Sequence, residues 1–396
     1  MSTRRYSRNA TILLKKEATE QVDPTPTAGT NAYKVRNLSI DPIEGKEVPL
    51  EYIQGFYGGY ETLRVESYAT CEFEVDFAGF PGDTAGTAAP WEDALLGCAF
   101  TQKALMATAV TGTAQAGGTT TTIKLAAGAS AVDDYYNGML INITGGTNSG
   151  YAGVVIDYVG STKIATLHKA GGSSFDNTSA YSIAKATVYE LLTSNPGSVA
   201  IYYYLDGDLH VLLGSRGNVN FDLSAGGIPT MKFMFTGVDA SIATSAMPTP
   251  TFTQWGSPSP LLTDNVIGYL SGKEMSGGTL GIQAEKFSLD MGNQVEFRQV
   301  LGASGVILSG RDSKGQVTIE ATPLAFKNWF SDIKNLVKGP AFIRNGNAAG
   351  NYCTLFLPRA QLTGGKYSDS SGIVTQEFGL NAIPANGNDE VRIVVQ

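Results

Sequence analysis

The feature that most constrains this chain is an internal duplication, in which the same series of sequence signals occurs twice. In the first copy, residues 37–41 (Asn-Leu-Ser-Ile-Asp) precede a Gly- and Tyr-rich excursion and then an alternating segment at 64–77. In the second copy, residues 286–290 (Lys-Phe-Ser-Leu-Asp) precede a Gly-containing excursion and an alternating segment at 314–321. Because alternation of apolar and polar residues is typical of half-buried strands, the repeat predicts two tandem units of one β-rich fold.

Three further landmarks recur in the same order. They are a Pro-x-Pro segment before each copy, a proline-started helix after each alternating segment, and then a second alternating region: 24–26 and 258–260, Pro90 and Pro323, 217–240 and 353–383. Proline fits the first turn of a helix, where its missing N–H would have no intrahelical partner. We therefore expect Pro90 and Pro323 in the first turns of two equivalent helices.

A sharp change of composition separates residues 107–186 from the duplicated parts. A Thr- and Gly-rich tract opens this segment, and short alternating stretches with Asn-Gly and Gly-Gly turn signals follow. Strands at such short spacing are typical of a small all-β module. We therefore predict an organisation with four parts, namely an N-terminal arm (1–36), a first unit (37–106 and 187–247), an inserted β-module (107–186) and a second unit (252–396).

Composition and charge exclude several classes of protein. The 396 residues contain 28 Lys and Arg against 36 Asp and Glu, which gives a formal charge of −8 and no basic stripe for gripping nucleic acid. No run of 18 apolar residues is present, so no membrane span is expected. The three cysteines are odd in number and far apart, which favours buried packing in a reducing compartment over a disulfide framework.

Motifs for catalysis or for cofactors are absent from the sequence. The two histidines, His168 and His210, lie in predicted strands, and the sequence contains no Gly-x-Ser-x-Gly elbow, phosphate loop or metal-ligand spacing. Residues 206–208 (Asp-Gly-Asp) predict a tight hairpin turn rather than a calcium loop. We therefore expect no enzyme activity, no catalytic residue, no cofactor and no metal. A glycosidase with two unlocalised carboxylates remains an alternative.

The segment 71–77 (Cys-Glu-Phe-Glu-Val-Asp-Phe) alternates strictly. Period two places its apolar side chains on one face and the carboxylates of Glu72, Glu74 and Asp76 on the other. Such a row indicates either an ordinary solvated sheet face or the lining of an acidic aqueous channel. The second copy carries a single acid, Glu320, on the corresponding polar face.

With these landmarks, and with phrases such as the Ala88–Cys98 segment (Ala-Ala-Pro-Trp-Glu-Asp-Ala-Leu-Leu-Gly-Cys), the chain resembles a major tail tube protein of a long, flexible-tailed (siphovirus-type) bacteriophage. The resemblance implies a mainly β fold of two tail-tube-type β-sandwich or half-barrel units, each with a flanking helix. It implies a structural virion protein that self-assembles into stacked rings and forms the tail tube for DNA ejection. Inner strands around 61–79, 217–239, 314–322 and 372–383 would then close a barrel, with Glu72, Glu74, Asp76 and Glu320 toward the lumen.

The same resemblance assigns partners and contacts. A ring-stacking loop at 43–60, with Glu47, Tyr52, Phe56 and Tyr57, would contact the next ring, and 291–311 would match it more weakly. Because two fused units replace two subunits, we expect trimeric rings with pseudo-sixfold symmetry, with a hexamer as the alternative. Expected partners are the tape measure, tail terminator and distal tail proteins, with DNA passing without specific binding. The protein would reside in the virion tail after assembly in the host bacterial cytoplasm.

A second function class stays open at this point. The chain could be a phage or cell-surface adhesin whose inserted module, 107–186, binds glycans. In that interpretation the duplicated units would form a stalk.

Overall fold

A computed structural model describes residues 4–82, 85–263, 265–275 and 281–396, and these residues form a mainly β protein with two short helices. Up to the inserted segment the elements are β1 (Ala10–Lys16), β2 (Val35–Glu44), β3 (Glu47–Pro49), β4 (Thr62–Arg64), β5 (Tyr68–Asp76), α1 (Glu92–Gly97) and β6 (Phe100–Met106). The inserted segment contains β7 (Val110–Thr113), β8 (Thr122–Lys124), β9 (Leu140–Gly145), β10 (Ala152–Val159), β11 (Ile164–Leu167) and β12 (Ala180–Ile183).

The remaining elements return to the first copy and then build the second. The first copy is completed by β13 (Ala186–Leu191), β14 (Val199–Leu205), β15 (Asp208–Ser224) and β16 (Thr230–Thr244). The second copy contains β17 (Val266–Leu270), β18 (Lys273–Met275), β19 (Ala284–Asp290), β20 (Asn293–Val300), β21 (Ala303–Arg311), β22 (Lys314–Glu320), α2 (Trp329–Lys334), β23 (Lys338–Asn345), β24 (Cys353–Ser370), β25 (Ile373–Ala382) and β26 (Arg392–Val395).

The strand pairings repeat the same six-strand unit twice. In the first copy the order is β1-β14-β15-β16-β5-β2, and in the second it is β17-β23-β24-β25-β22-β19. Both copies belong to one antiparallel sheet, because β15 of the first copy pairs with β19 of the second. The duplication predicted from the sequence is therefore present as a repeated topology.

The register of the β2–β5 pair in the first copy matches that of the β19–β22 pair in the second. Ser39 lies opposite Glu72 in the first copy, and Ser288 lies opposite Gln316 in the second. Strands β2 and β19 each have a bulge on the N-terminal side of this point. This common register makes positions in the two copies directly comparable.

One apolar core runs through both copies. Cys71, Phe73 and Val75 are buried on the inner face of β5, and Phe287 and Leu289 are buried on β19 in the same cluster. Alternation explains this placement, since every second side chain of each strand faces the core. The helix residue Leu95 is buried in the same cluster, and the adjacent Leu96 is also buried.

The inserted segment forms its own six-stranded sheet, in the order β7-β12-β9-β10-β11-β8, with its own apolar cluster. This cluster continues onto Val188 of β13 and Val394 of β26. A small cluster also joins Val154 of the module to Phe342 and Phe356 of the second copy. The module therefore packs on both units.

The starts of both helices differ from the sequence expectations. α1 begins at Glu92 after a turn that contains Pro90, and α2 begins at Trp329, six residues after Pro323, so neither proline lies within the helix that follows it. For α2 the side chain of Asn328 caps the helix instead by accepting a hydrogen bond from the backbone N–H of Ser331.

The N-terminal segment also differs from a simple arm. Its residues 10–16 form β1, which pairs with β14 and buries Ile12 in the main core. The Pro-x-Pro segments are not equivalent, because 24–26 follows β1 whereas 258–260 precedes β17. A Pro-x-Pro sequence alone does not show whether the segment follows a strand, as at 24–26, or precedes one, as at 258–260.

Candidate functional site

The side of the continuous sheet that faces away from the core is a polar face that crosses both copies. Glu72, Glu74 and Asp76 of β5 lie on this face, while the alternate side chains of β5 are buried. The corresponding positions of β22 are Gln316, Thr318 and Glu320. The strict alternation thus places the predicted acidic residues on one face, as the sequence indicated.

Each of the three carboxylates on β5 has a partner from a neighbouring strand. Lys232 Nζ lies 2.9 Å from Glu72 Oε2, and Arg36 Nη2 lies 2.6 Å from Asp76 Oδ1. Asn37 Nδ2 donates a hydrogen bond of 2.8 Å to Glu74 Oε2. Repulsion within the row is therefore offset by cations and amides that the sequence analysis did not identify.

The carboxylates on the polar face of the second copy also have amide or lysine partners. The side-chain amide of Gln283 contacts the carboxylate of Glu320. On the neighbouring strands Lys366 Nζ lies 2.7 Å from Glu377 Oε2. Hydrogen bonds from Lys366 and from Ser368 lower the pKa of Glu377, which therefore stays ionised at neutral pH. The polar face is consequently a mixed, partly paired surface.

The two copies meet at the junction of β15 with β19. Asn220 lies opposite Asp290, Asp222 lies opposite Ser288, and Ser224 lies opposite Lys286. An ion pair between Lys286 Nζ and Asp222 Oδ2 (3.0 Å) crosses this junction on the polar face. On the core face the alternate side chains of both strands are completely buried. Backbone pairing, core packing and charge pairing thus all stabilise the junction.

Two strand edges at the ends of the repeated array are unpaired among the described residues. β2 pairs with β5 on one side only, and the second half of β24, residues 362–370, pairs with β25 on one side only. Tyr367 of this half is 60% exposed, whereas the equivalent Phe221 at the internal junction is fully buried. Unpaired edges of this kind are templates for adding another strand.

The predicted loop residues lie on the excursion between β2 and β5. Glu47 is part of the short β3–β4 ladder and forms an ion pair with Arg64, at 2.7 Å. Tyr52, Phe56 and Tyr57 are strongly exposed beyond this ladder. Exposure of several large apolar side chains on one segment marks an interaction surface.

The part of the chain that the structure describes contains no cluster of three or more His, Cys, Asp or Glu residues arranged to hold a metal ion. His168 is buried against Tyr269 and Phe342, and Asp206 and Gly207 form the tight turn between β14 and β15 that the sequence predicted. Among the described helices none is long and apolar enough to cross a membrane.

A duplicated half-barrel sheet with a polar face and unpaired end strands defines a mainly β structural protein. A family model described as phage tail tube protein matches residues 7–382 of this chain. The chain therefore belongs to the phage tail tube protein family, a structural family of the virion tail and not an enzyme family. Membership implies self-assembly into a tube. No curated protein matches the chain.

Proposed function

We propose that three chains form a ring with pseudo-sixfold symmetry and that stacked rings form the phage tail tube, through which DNA is ejected into the host. The observation that carries this proposal is the β15–β19 junction, because it joins two equivalent units within one chain. The unpaired edges of β24 and β2 are the equivalents of β15 and β19 at the two ends of the chain. Repeating one junction between identical units generates a closed ring.

The internal junction supplies the register of the junction between chains. Asn220 and Asp290 are opposite each other within the chain, and their equivalents are Lys366 and Asp41. The same register places Tyr367 opposite Ile40 of the neighbouring chain. The proposed junction therefore pairs a lysine with an aspartate and covers an exposed tyrosine with an apolar side chain.

The size of the resulting barrel suits a conduit. Each chain contributes eight strands, in the order β24-β25-β22-β19-β15-β16-β5-β2, so a trimer closes 3 × 8 = 24 strands. At about 4.8 Å per strand the circumference is about 115 Å, which gives a diameter of at least about 37 Å. We propose that the polar face, with Glu72, Glu74, Asp76 and Glu320, lines this lumen and lets DNA pass without specific binding.

Stacking is assigned to the exposed excursion. We propose that Tyr52, Phe56 and Tyr57 contact the next ring, with Glu47 holding the base of the excursion through Arg64. The tube would end at tail terminator and distal tail proteins and enclose a tape measure protein. We propose that the phage has a long flexible tail. Assembly in the host bacterial cytoplasm is consistent with the unpaired, buried cysteines. The family match gives no support to the glycan-binding alternative.

The mass of an isolated ring tests the symmetry. Native mass spectrometry is expected to show three chains per ring, and electron microscopy to show six similar density features around the lumen. Six chains per ring would contradict the proposal that both units of each chain lie in the wall.

A charge exchange tests the register. Asp41→Lys places two lysines opposite each other across the proposed junction, and Lys366→Asp places two aspartates there, so each single variant should form fewer rings. The double variant Asp41→Lys/Lys366→Asp restores opposite charges and should recover ring formation measured by sedimentation. Lys124→Asp, in strand β8 of the inserted module, is the matched control. Equal assembly of both single variants and the wild type would refute this register.

A further inference from the structure

The excursion of the second copy is a hairpin, β20–β21, that docks on the first copy of the same chain. The ring of Phe297 stacks on Tyr68 with centroids 5.2 Å apart, and Gln21 Nε2 donates a 2.6 Å hydrogen bond to the carbonyl of Ser304. The guanidinium of Arg216 donates to the carbonyl of Val306, a residue that is completely buried. A hairpin of one unit therefore clamps the adjacent unit of the array.

The excursion of the first copy has an equivalent base. Gly45 and Gly292 both have positive φ, and a Cβ on either would collide with a carbonyl of the returning chain, Glu66 O at 2.0 Å and Asp312 O at 2.3 Å. The next ladder pair is Glu47 with Arg64 in the first copy and Gln294 with Gly310 in the second. Ser309 is a bulge residue with no counterpart in the first ladder, so the pairing that continues through Leu63 and Leu308 makes Glu61 the equivalent of Val306.

The first excursion nevertheless lacks the burial of its counterpart. Glu61 is exposed and the adjacent Tyr60 is 48% exposed, in contrast to the buried Val306. The whole segment exposes large apolar side chains: Ile43, Val48, Tyr52, Ile53, Phe56, Tyr57, Tyr60, Leu63 and Val65. In the docked hairpin only the residues at its tip, Val300 and Leu301, are comparably exposed. The difference indicates a surface that is covered by another molecule.

The equivalent receiving surface lies on the second copy. The strand registers make Gln361 the equivalent of Arg216, and Leu336 and Val337 the equivalents of Pro196 and Gly197. In the first copy this region meets the docked hairpin, since Arg216 bonds to both Val306 and Pro196. In the second copy Leu336 is 65% and Val337 39% exposed.

We infer that the base of the first excursion, around Tyr60 and Leu63, docks on Leu336, Val337 and the Gln361 end of β24 of the neighbouring chain in the same ring. This inference rests on the proposed ring and adds a second contact to the junction of β24 with β2. The occupant is a second copy of this chain, because the internal junction already shows the same arrangement between adjacent units. The tip, with Phe56 and Tyr57, stays free for the next ring, as Val300 and Leu301 do.

Cysteine cross-linking tests the placement of the base. The variant Tyr60→Cys/Val337→Cys is treated with a short bismaleimide, and Tyr57→Cys/Val337→Cys is the matched control from the tip. The native thiols do not interfere, since Cys71, Cys98 and Cys353 are all buried. The Tyr60 variant should give covalent dimers and trimers in isolated single rings, while the Tyr57 variant should give them far less efficiently.

The alternative outcomes are distinct. Cross-linking of the Tyr60 variant only in stacked tubes would overturn the inference and place the base between rings. Single rings of three chains without this cross-link would also overturn it while leaving the proposed ring intact. A protein that forms no rings at all would refute the proposed function itself.

A surface substitution provides an independent measurement. Val337→Glu replaces an apolar side chain of the proposed contact with an unpaired charge and should raise the concentration needed for ring formation roughly tenfold, which corresponds to about 1.4 kcal/mol. Val132→Glu, at an exposed valine of the inserted module, should leave this concentration unchanged. Both variants change exposed residues, so circular dichroism should confirm an unchanged fold. Equal assembly of the two variants would contradict the proposed contact.

Discussion

At the scale of single residues, the buried cysteine thiols are held in their neutral form. Burial raises the pKa of Cys71 and of Cys353 to about 12, and burial also raises the pKa of Cys98 well above its usual value. The thiolate is the reactive form of cysteine, and very little of it is present at neutral pH. The three cysteines therefore act as small apolar core residues.

We predict that the native protein resists thiol reagents. At pH 8, maleimide or Ellman's reagent should modify none of the three cysteines within an hour, whereas in denaturant all three should react. The physical reason is their combined burial and raised pKa. Rapid labelling of Cys71 or Cys353 in the folded chain would contradict this placement.

His168 is buried where the inserted module meets the second copy. Its Nδ1 accepts a 2.9 Å hydrogen bond from the backbone N–H of Val154, and its ring packs edge-on against Tyr269 and Phe342. Burial, together with the nearby Lys169, lowers its pKa from 6.5 to about 4. The imidazole is therefore neutral in the folded protein where the module meets the second copy.

We predict that this histidine makes stability depend on pH between about 6.5 and 4. In this window the unfolded chain binds a proton that the folded chain does not, so the free energy of unfolding falls as the pH falls. The loss from this residue should reach about 2–3 kcal/mol near pH 4. Thermal unfolding of the wild type and of His168→Gln should show a smaller pH slope for the variant, and equal slopes would contradict the prediction.

The residue scale also shows what could be predicted from the sequence. Alternation correctly predicted that Cys71, Phe73 and Val75 face the core and that the acids of β5 face away from it. The sequence could not supply the partners, because Lys232 and Arg36 reach these acids from other strands whose register depends on the whole sheet. Which side of that sheet faces a lumen stays a prediction.

At the scale of elements, order was easier to predict than boundaries. The two helices and the alternating regions at 217–240 and 353–383 were predicted from the sequence, and helices and strands are present there. The starts of the helices were wrong because Pro90 and Pro323 lie in turns that precede them, and a proline in either position satisfies the same local signal. The local sequence therefore does not distinguish a proline in the first turn of a helix from a proline in the turn that precedes the helix.

The inserted module provides the prediction at this scale. Its contacts with the second copy are extensive: Gln396 Oε1 accepts a 2.8 Å hydrogen bond from the N–H of Leu140, and Arg392 Nη2 donates to the carbonyl of Tyr135 at 3.1 Å. Val154 also packs against Phe342 and Phe356. Removing the module therefore uncovers buried apolar and polar groups of the tube units.

We predict that deleting residues 107–186 lowers the yield of soluble protein severalfold, because it exposes Phe342 and Phe356. Replacing both phenylalanines with threonine in the deletion variant should recover much of the soluble yield, measured by size-exclusion chromatography. The same double replacement in the full chain is the control and should destabilise it. A deletion variant as soluble as the wild type would show that these contacts contribute little.

At the scale of the whole molecule, the prediction concerns the polar face. Replacing Glu72, Glu74 and Asp76 with their amides keeps shape and hydrogen bonding but removes three negative charges per chain. Tubes should still assemble, and their affinity for DNA fragments should rise severalfold at low salt, with less effect at high salt. Fluorescence anisotropy with labelled DNA measures this, and Asp157→Asn, at an exposed position of the inserted module, is the control. Unchanged affinity would contradict a lumenal position of these acids.

The internal β15–β19 junction also changes how ring formation depends on protein concentration. Each association step between free chains loses translational and rotational freedom, which costs on the order of 4–15 kcal/mol. A ring of three chains pays this cost twice, whereas six separate units would pay it five times. In the proposed ring, half of the junctions between units form during folding of the chain. Ring concentration at equilibrium should then vary with the third power of free chain concentration rather than the sixth, so the fused chain can assemble at much lower concentration.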